Sequence, residues 1–483
     1  MYFRRICNFI FAASAVFLMG TAHYASLHAK TVKTPPNVLL ICVDDLKPVL
    51  GCYGDTLAQT PHMDRLAERG MRFERAYCNQ AVCAPSRNSL MTGARPTTIG
   101  VYSLGMFFRK AAPEAVTMSQ HFMRHGWHTE AVGKIFHTGH GNQDDAASWS
   151  VPYEPVSGRN YVGTKRARGP AWENADVPDN AYRDGCIAEE GIRRLKAAAK
   201  KPDQPFFLAV GFVKPHLPFC APKKYWDLYD PASFSLASRQ APPVNAPEVA
   251  GKGVGEISSY DDIPDHLPFE KGLQRKLIHG YYAAVSYVDA QIGHLLDALD
   301  QLQLADNTVI VLWGDHGFHL GDLSYWTKHT NYEQANRIPI IIVAPGVTTA
   351  GTKTLQLAET VDIYPTLADL AGIGFPQVPQ HIDGVSLVPV LGDPSARVRD
   401  HVYHAYPRGD IIGRAIRTDR YRMVEWKIPG QADQTAVYEL YDYKEDLLES
   451  INLADSKPDI LAELCAILAQ HPEAKPEYKP KSD

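Results

Sequence analysis

Along the chain, apolar positions gather into short continuous runs rather than long alternating ones. Residues 37–43, 129–133, 206–212 and 308–313 are apolar or β-rich and each ends in polar residues, with 338–343 a fifth run of the same kind. Runs of that length predict strands buried on both faces. Between them the spacing turns helical in 61–69, after Thr60 as an N-cap, and in 119–125, 181–199 and 274–299. Strands alternating with helices predict an α/β fold: a large mixed, mostly parallel sheet flanked by helices.

The pattern changes after a helix at 360–371. Short strands at 401–405, 413–418, 421–426 and 437–441, then a helix at 459–469, predict a smaller C-terminal antiparallel sheet plus helix. The expected organisation is therefore a leader at 1–29, a catalytic α/β domain at 30–395 and a smaller α+β subdomain at 396–483. The tail from Pro472, rich in Pro and Lys, is expected to fray. Segments 139–180 and 230–265, rich in Gly, Pro, Asn and Asp, are long enough to be expected to cover a site.

The leader is read from Arg4 and Arg5, an apolar run from 6 to 19, and a polar stretch ending in Leu27, His28 and Ala29. That sequence of regions is a secretory signal, placing the mature start near Lys30 and the protein in the periplasm or outside the cell. The run falls short of the about 20 apolar residues a stable membrane span needs. Over 483 residues, 45% hydrophobic and 21% charged residues fit a soluble globular protein, and a net charge of -5 gives no pull toward nucleic acid. Beyond Cys7 in the leader, seven cysteines are spaced neither as a zinc framework nor as a disulfide scaffold, and Cys42 reads as a small core residue.

Chemistry enters at the strand ends. Asp44 and Asp45, Lys134 and His137, Lys214 and His216, and Asp315 and His316 each follow a predicted strand. Ligands bind at the carboxyl ends of strands in such sheets. Any one pair would be ordinary turn chemistry, but four at equivalent positions predict one convergent polar site. Cys83, Ala84, Pro85, Ser86 and Arg87 precede 88–93, which predicts a short helix closed by Gly93. A cysteine at a helix N-terminus has a lowered pKa in a place that attracts anions, and Arg87 adds a cation. From these residues alone Cys83 reads as a thiol nucleophile, a disulfide partner or a buried residue.

The Cys83–Arg87 stretch, with Thr92 and Gly93, resembles the signature of the formylglycine-dependent sulfatases. Asn37 to Asp45, Thr60 to Tyr77, Gly133 with Lys134 and His137, Lys214 to His216, Gly314 to Gly317, and Lys328 follow in family order. The resemblance implies an alkaline-phosphatase-like sulfatase fold in which Cys83 is oxidised by a maturase to formylglycine. The hydrated aldehyde attacks sulfur through one hydroxyl and expels sulfate with the other. Carried over, Asp44, Asp45, Cys83, Asp315 and His316 would hold one calcium ion, whose hard character suits carboxylates, with magnesium the alternative metal. Arg87, Lys134 and Lys328 would neutralise sulfate oxygens. His137 would take the proton that releases sulfate, and His216, with Lys328, would protonate the departing sugar oxygen.

The Asp315–His316 pair and the stretches from Gly133 and Lys214 resemble the iduronate-sulfatase branch, which implies a sulfated uronate carbohydrate as substrate. Lys47 and Lys214 are then candidates for substrate binding, and Tyr102, Phe318, Tyr325 and Trp326 for stacking on a sugar ring. Two alternatives remain open: a phosphomonoester or phosphodiester hydrolase of the same superfamily, which predicts a second cluster of metal ligands, and an inactive relative that binds sulfated glycans.

Overall fold

The structure is a computed structural model that describes residues 35–164, 169–251 and 253–480. The predicted leader lies outside the described residues. Seven strands build the main sheet: β1 (Asn37–Asp44), β2 (Met71–Tyr77), β3 (His128–Gly133), β4 (Phe206–Pro215), β5 (Thr308–Gly314), β6 (Arg337–Val343) and β7 (Thr352–Glu359). Their order across the sheet is β3-β4-β1-β5-β6-β2-β7. β3, β4, β1 and β5 run parallel, as do β2 and β7, whereas β6 is antiparallel to both of its neighbours. The sheet is therefore mixed and mostly parallel, as the alternation of runs predicts.

Both faces of β1 are buried, which is why its sequence is apolar without alternation. Leu39, Ile41 and Val43 pack with Met63 and Leu66 of α1 (Pro61–Arg69), Ile187 and Leu195 of α4 (Arg183–Ala198), and Leu277 and Leu295 of α5 (Lys271–Gln301). Val38, Leu40 and Cys42 face the opposite layer, where Leu90 and Met91 of α2 (Cys83–Thr92), Phe122 of α3 (Met118–Arg124) and Leu367 of α6 (Ile363–Leu370) close the core. Thr60 does not cap α1. Its hydroxyl accepts from Gly51 N at 2.9 Å and donates to Asp64, while the free amides of His62 and Met63 are taken by Asp289 of α5 at 3.2 and 2.7 Å. A buried carboxylate from a neighbouring helix thus replaces the local cap that the sequence suggests.

The second sheet is antiparallel in the order β8 (His401–Arg408), β9 (Ile411–Thr418), β10 (Tyr421–Lys427) and β11 (Val437–Asp442). Tyr403, Ile416, Met423 and Leu440 pack with Leu464 and Leu468 of α7 (Pro458–Leu468). At the junction of the sheets Glu359, ending β7, accepts from Arg95 at 2.8 and 2.9 Å, from Asn79 at 2.7 Å and from Tyr403 N at 2.9 Å. The tail does not fray where it is described. Lys475 N donates to Thr97 O, Tyr478 N to Gly100 O, and Tyr102 OH to Lys475 O at 2.6 Å, so backbone pairing outweighs its polar composition. No helix among the described residues is long and apolar enough to cross a membrane.

Candidate active site

Strand geometry alone would send Asp44 and Asp45 to opposite faces. A register irregularity after Val43 and a left-handed turn at Asp45, φ 59°, bring both carboxylates to the end of β1. Such a backbone is uncommon for a residue with a side chain and persists only where the surroundings hold it. Asp315 does this by accepting from Asp45 N and His316 N, both at 2.9 Å, on one oxygen. At the end of β3, Gly133 has φ 73° and lies against Gly211 O so closely that a Cβ would meet it at 2.2 Å, and this turn delivers Lys134 to the cluster.

Cys83, 2% exposed, opens α2 beneath the strand ends, with Gly93 in the left-handed C-cap as predicted. Its sulfur stands 3.3 Å from His316 Nε2. His316 Nδ1 faces Gly317 O at 3.0 Å, so Nδ1–H donates there and Nε2 is turned to the cluster, 3.4 Å from Asp45 and 3.6 Å from Asp315. Lys134 Nζ donates to Asp44, and Lys328 Nζ donates to both oxygens of Asp45 at 3.0 and 3.1 Å.

Arg87 departs from its expected role. It is fully buried, and Nε donates to Asp315 at 2.9 Å, Nη2 to Asp44 at 3.1 Å, and Nη1 to the carbonyls of Lys134 and Ile135. With its donors spent on carboxylates and backbone, it orients the cluster from behind, and the Lys and Arg side chains that line the cavity are Lys134, Arg183 and Lys328. That cavity is about 420 Å³, within the ~300–1,000 Å³ typical of small-molecule sites. Cys83, Lys134, His137, His216 and Lys328 line it, so the structure brings together the residues expected to do the chemistry.

The electrostatics divide the two histidines. Burial and the Lys328 ammonium oppose a proton on His216, but Asp45, Glu256 and Asp44 outweigh them and carry it up to about 9. Burial lowers His137, and Lys134 adds to this against a hydrogen bond the ring donates to Cys83. The two imidazoles are thus shifted in opposite directions within one cavity. Burial alone would raise the Cys83 thiol, yet Lys134, Lys328 and His316 pull it well below the ordinary thiol range. The field at position 83 favours an anion.

The cluster could hold a metal ion: Asp44, Asp45 and Asp315 offer carboxylate oxygens, Cys83 a sulfur, and His316 and His216 ring nitrogens. Ligand atoms of Asp44, Cys83, Asp315 and His316 lie within 4.8 Å of one another, and a second set joins Asp44, Asp45, Cys83 and His216. Oxygen ligands at ~2.3–2.6 Å from a shared calcium would span such separations. Both sets share Asp44 and Cys83, so these described residues make one centre, not the two that the phosphatase reading predicts.

Several expected contacts are redirected. Lys47 lines a different cavity, its ammonium 3.7 Å from Asp322, and Lys214 is buried with Nζ donating to His216 O at 2.8 Å and Pro218 O at 2.5 Å. Neither lines the reaction cavity: Lys214 is tied to nearby backbone carbonyls, and Lys47 is drawn toward Asp322. Phe318 packs on Tyr281, Trp326 on Phe269 and Tyr325 on Tyr332, and Tyr102 binds the tail, so these four aromatics serve the core. Tyr153, Tyr161 and Tyr260 line the cavity instead. Glu256 escaped the sequence reading. It comes from the long loop and sits 3.2 Å from Lys328 and 3.7 Å from His216. Arg183 and His140, also in the lining, carried no local signal. The seven described cysteines are free thiols.

Carboxylates at parallel strand ends, a nucleophile position ringed by cations, and an acid–base histidine pair define a hydrolytic centre for an anionic ester. Residues 36–373 match the Sulfatase family and residues 321–473 the N-sulphoglucosamine sulphohydrolase C-terminal family. Iduronate 2-sulfatase of Homo sapiens is 35% identical over 469 residues, covering 81% of this chain and 84% of that protein, and the Mus musculus protein is 38% identical over 383 residues, covering 70% and 69%. A solved structure in complex with its substrate D-glucosamine-2-N,6-O-disulfate superposes with a TM-score of 0.74 at 22% identity, covering 90% of this chain and 98% of that one. The phosphonate monoester hydrolase of Agrobacterium radiobacter gives 0.73 at 21% identity, covering 91% and 96%. The chain belongs to the sulfatase family, as a sulfuric ester hydrolase of its iduronate-2-sulfatase-like branch.

Proposed function

We propose that this enzyme hydrolyses a sulfate ester of a uronate-containing sugar, the 2-O-sulfate of iduronate or a related uronate in glycosaminoglycan or algal polysaccharide fragments. The observation that carries the reading is the convergence of Cys83, Lys134, His137, His216 and Lys328 on one cavity, in a chain of the iduronate-2-sulfatase-like branch. Oxidised by a maturase to formylglycine and hydrated, Cys83 would supply the hydroxyl nucleophile and a second hydroxyl to expel sulfate. Calcium held by Asp44, Asp45, Asp315, His316 and position 83 would supply Lewis acidity toward a sulfate oxygen.

The remaining work falls to the chain's own side chains. Lys134 and Lys328 place positive charge beside the sulfate oxygens, where it stabilises developing negative charge. His216 donates a proton to the departing sugar oxygen, with Glu256 and Lys328 fixing its surroundings. His137 accepts a proton at position 83 when sulfate leaves. The signal-like sequence of residues 1–29 supports a periplasmic or extracellular site of action.

Turnover of defined sulfated disaccharides, beside matched aryl sulfate and aryl phosphate esters, tests the reading with calcium-loaded, matured protein. Hydrolysis of 2-sulfated uronate units is expected, with the aryl sulfate cleaved well ahead of the phosphate. Preference for the phosphate, or binding of sulfated sugars without turnover, would contradict it.

A further inference from the structure

With Lys47 and Lys214 turned away, the recognition of a second negative group on the substrate passes to another residue. Three Lys or Arg side chains line the reaction cavity: Lys134, Arg183 and Lys328. The two lysines already serve carboxylates, Lys134 that of Asp44 and Lys328 those of Asp45 and Glu256. Arg183 has no ion-pair partner among the described residues. Its Nη2 donates to Pro155 O at 2.8 Å, and its Nε is shielded from solvent without an acceptor. A shielded N–H without a partner is costly, and an acceptor on a bound substrate would relieve that cost.

The stem of this side chain is held in place. Arg183 is the first residue of α4, and its own amide donates to Arg159 O at 3.2 Å. Gly158 lies so close that a Cβ there would meet the Arg183 Cα, Cβ and Cγ at 2.5, 2.8 and 2.9 Å. The next residue, Asp184, pins the end of β4 by accepting from Val213 N and Lys214 N at 2.9 and 2.8 Å. Arg183 is thereby fixed relative to the strand end that carries His216. A planar, permanently charged fork presented from a rigid element is the group suited to bidentate capture of a carboxylate or sulfate.

We propose that Arg183 is a specificity-determining residue that binds a second anionic group of the sulfated sugar, the uronate carboxylate or a neighbouring sulfate, while the scissile sulfate lies against Lys134 and Lys328. The assignment rests on the proposed action on sulfated uronates. Arg183 takes no part in bond breaking, so its loss weakens binding of substrates that carry the second anion and leaves small ones untouched.

Arg183→Ala and Arg183→Lys are compared with the parent on a 2-sulfated uronate disaccharide, its carboxyl-reduced counterpart, a counterpart with an additional sulfate, and 4-nitrophenyl sulfate. Arg183→Ala is expected to raise KM about 10- to 100-fold on substrates with the second anion, as for loss of a charged hydrogen bond. Arg183→Lys should recover part of this, and 4-nitrophenyl sulfate should be cleaved at the parent rate. Carboxyl reduction that abolishes the effect assigns the carboxylate; an effect that follows only the additional sulfate assigns that group. An unchanged KM on every doubly anionic substrate overturns the proposal, as does an equal loss on 4-nitrophenyl sulfate. Failure of the parent itself on sulfated uronates, with aryl sulfate turnover intact, would instead overturn the substrate reading.

Discussion

Replacing His216 by Asn separates proton donation from everything else the site does. His216 Nδ1 lies 2.5 Å from Leu217 O, a contact the Asn amide can reproduce, whereas Nε2, 3.7 Å from Glu256, has no counterpart. A positioned general acid contributes about 10²–10⁴-fold, and that is the expected loss in kcat/KM on a sugar sulfate, whose alkoxide leaves poorly without a proton. On 4-nitrophenyl sulfate, whose leaving group departs unprotonated, the loss should stay below about tenfold. The pH profile adds a second readout. With His216 raised above the ordinary imidazole range, the acid form is present at lower pH and is lost as pH rises, so parent activity on the sugar should fall on the alkaline side. The variant should lack that limb. Equal losses on both substrates, or an alkaline limb that survives in the variant, would refute the assignment.

Asp315→Ala should lose bound calcium and activity together, read by metal analysis of dialysed protein; tight retention of the ion would show that the centre lies elsewhere. His137→Ala should accumulate enzyme sulfated at position 83, visible by mass spectrometry during turnover, and a variant that cycles at the parent rate would exclude its role as base. Arg87→Met leaves Asp44 and Asp315 buried without their shared guanidinium, so unfolding in denaturant should show a loss of about 3–5 kcal/mol, checked against an unchanged transition midpoint as the contrary result.

The central strands were legible because burial on both faces removes alternation, leaving apolar runs such as that of β1, and the acids after them mark the carboxyl ends. The edge was not. β7 carries Thr352, Lys353, Thr354 and Gln356, of which only Thr354 is buried, and its sequence resembles a polar loop more than a strand. β2 mixes Arg72, Glu74 and Arg75 with Phe73 and was placed through family order rather than by pattern. At the site, residue type and spacing pointed to Asp44, Asp45, Cys83, Asp315 and the histidines. Side-chain direction was another matter: Lys47 and Lys214 neighbour the right motifs but bend to local acceptors, and Arg87 spends its donors behind the cluster. Glu256 and Arg183 reach the cavity from a loop and a helix start that no local pattern ties to the strand ends. Tertiary placement decides such residues, and sequence spacing cannot report it.

The mass of the peptide containing Cys83, from protein matured in its native host and assayed on its sulfate ester, tests the central claim most directly. The aldehyde in place of the thiol, in proportion to activity and absent together with activity in Cys83→Ala, is the predicted result. Full activity in protein whose Cys83 remains an unmodified thiol would contradict the account.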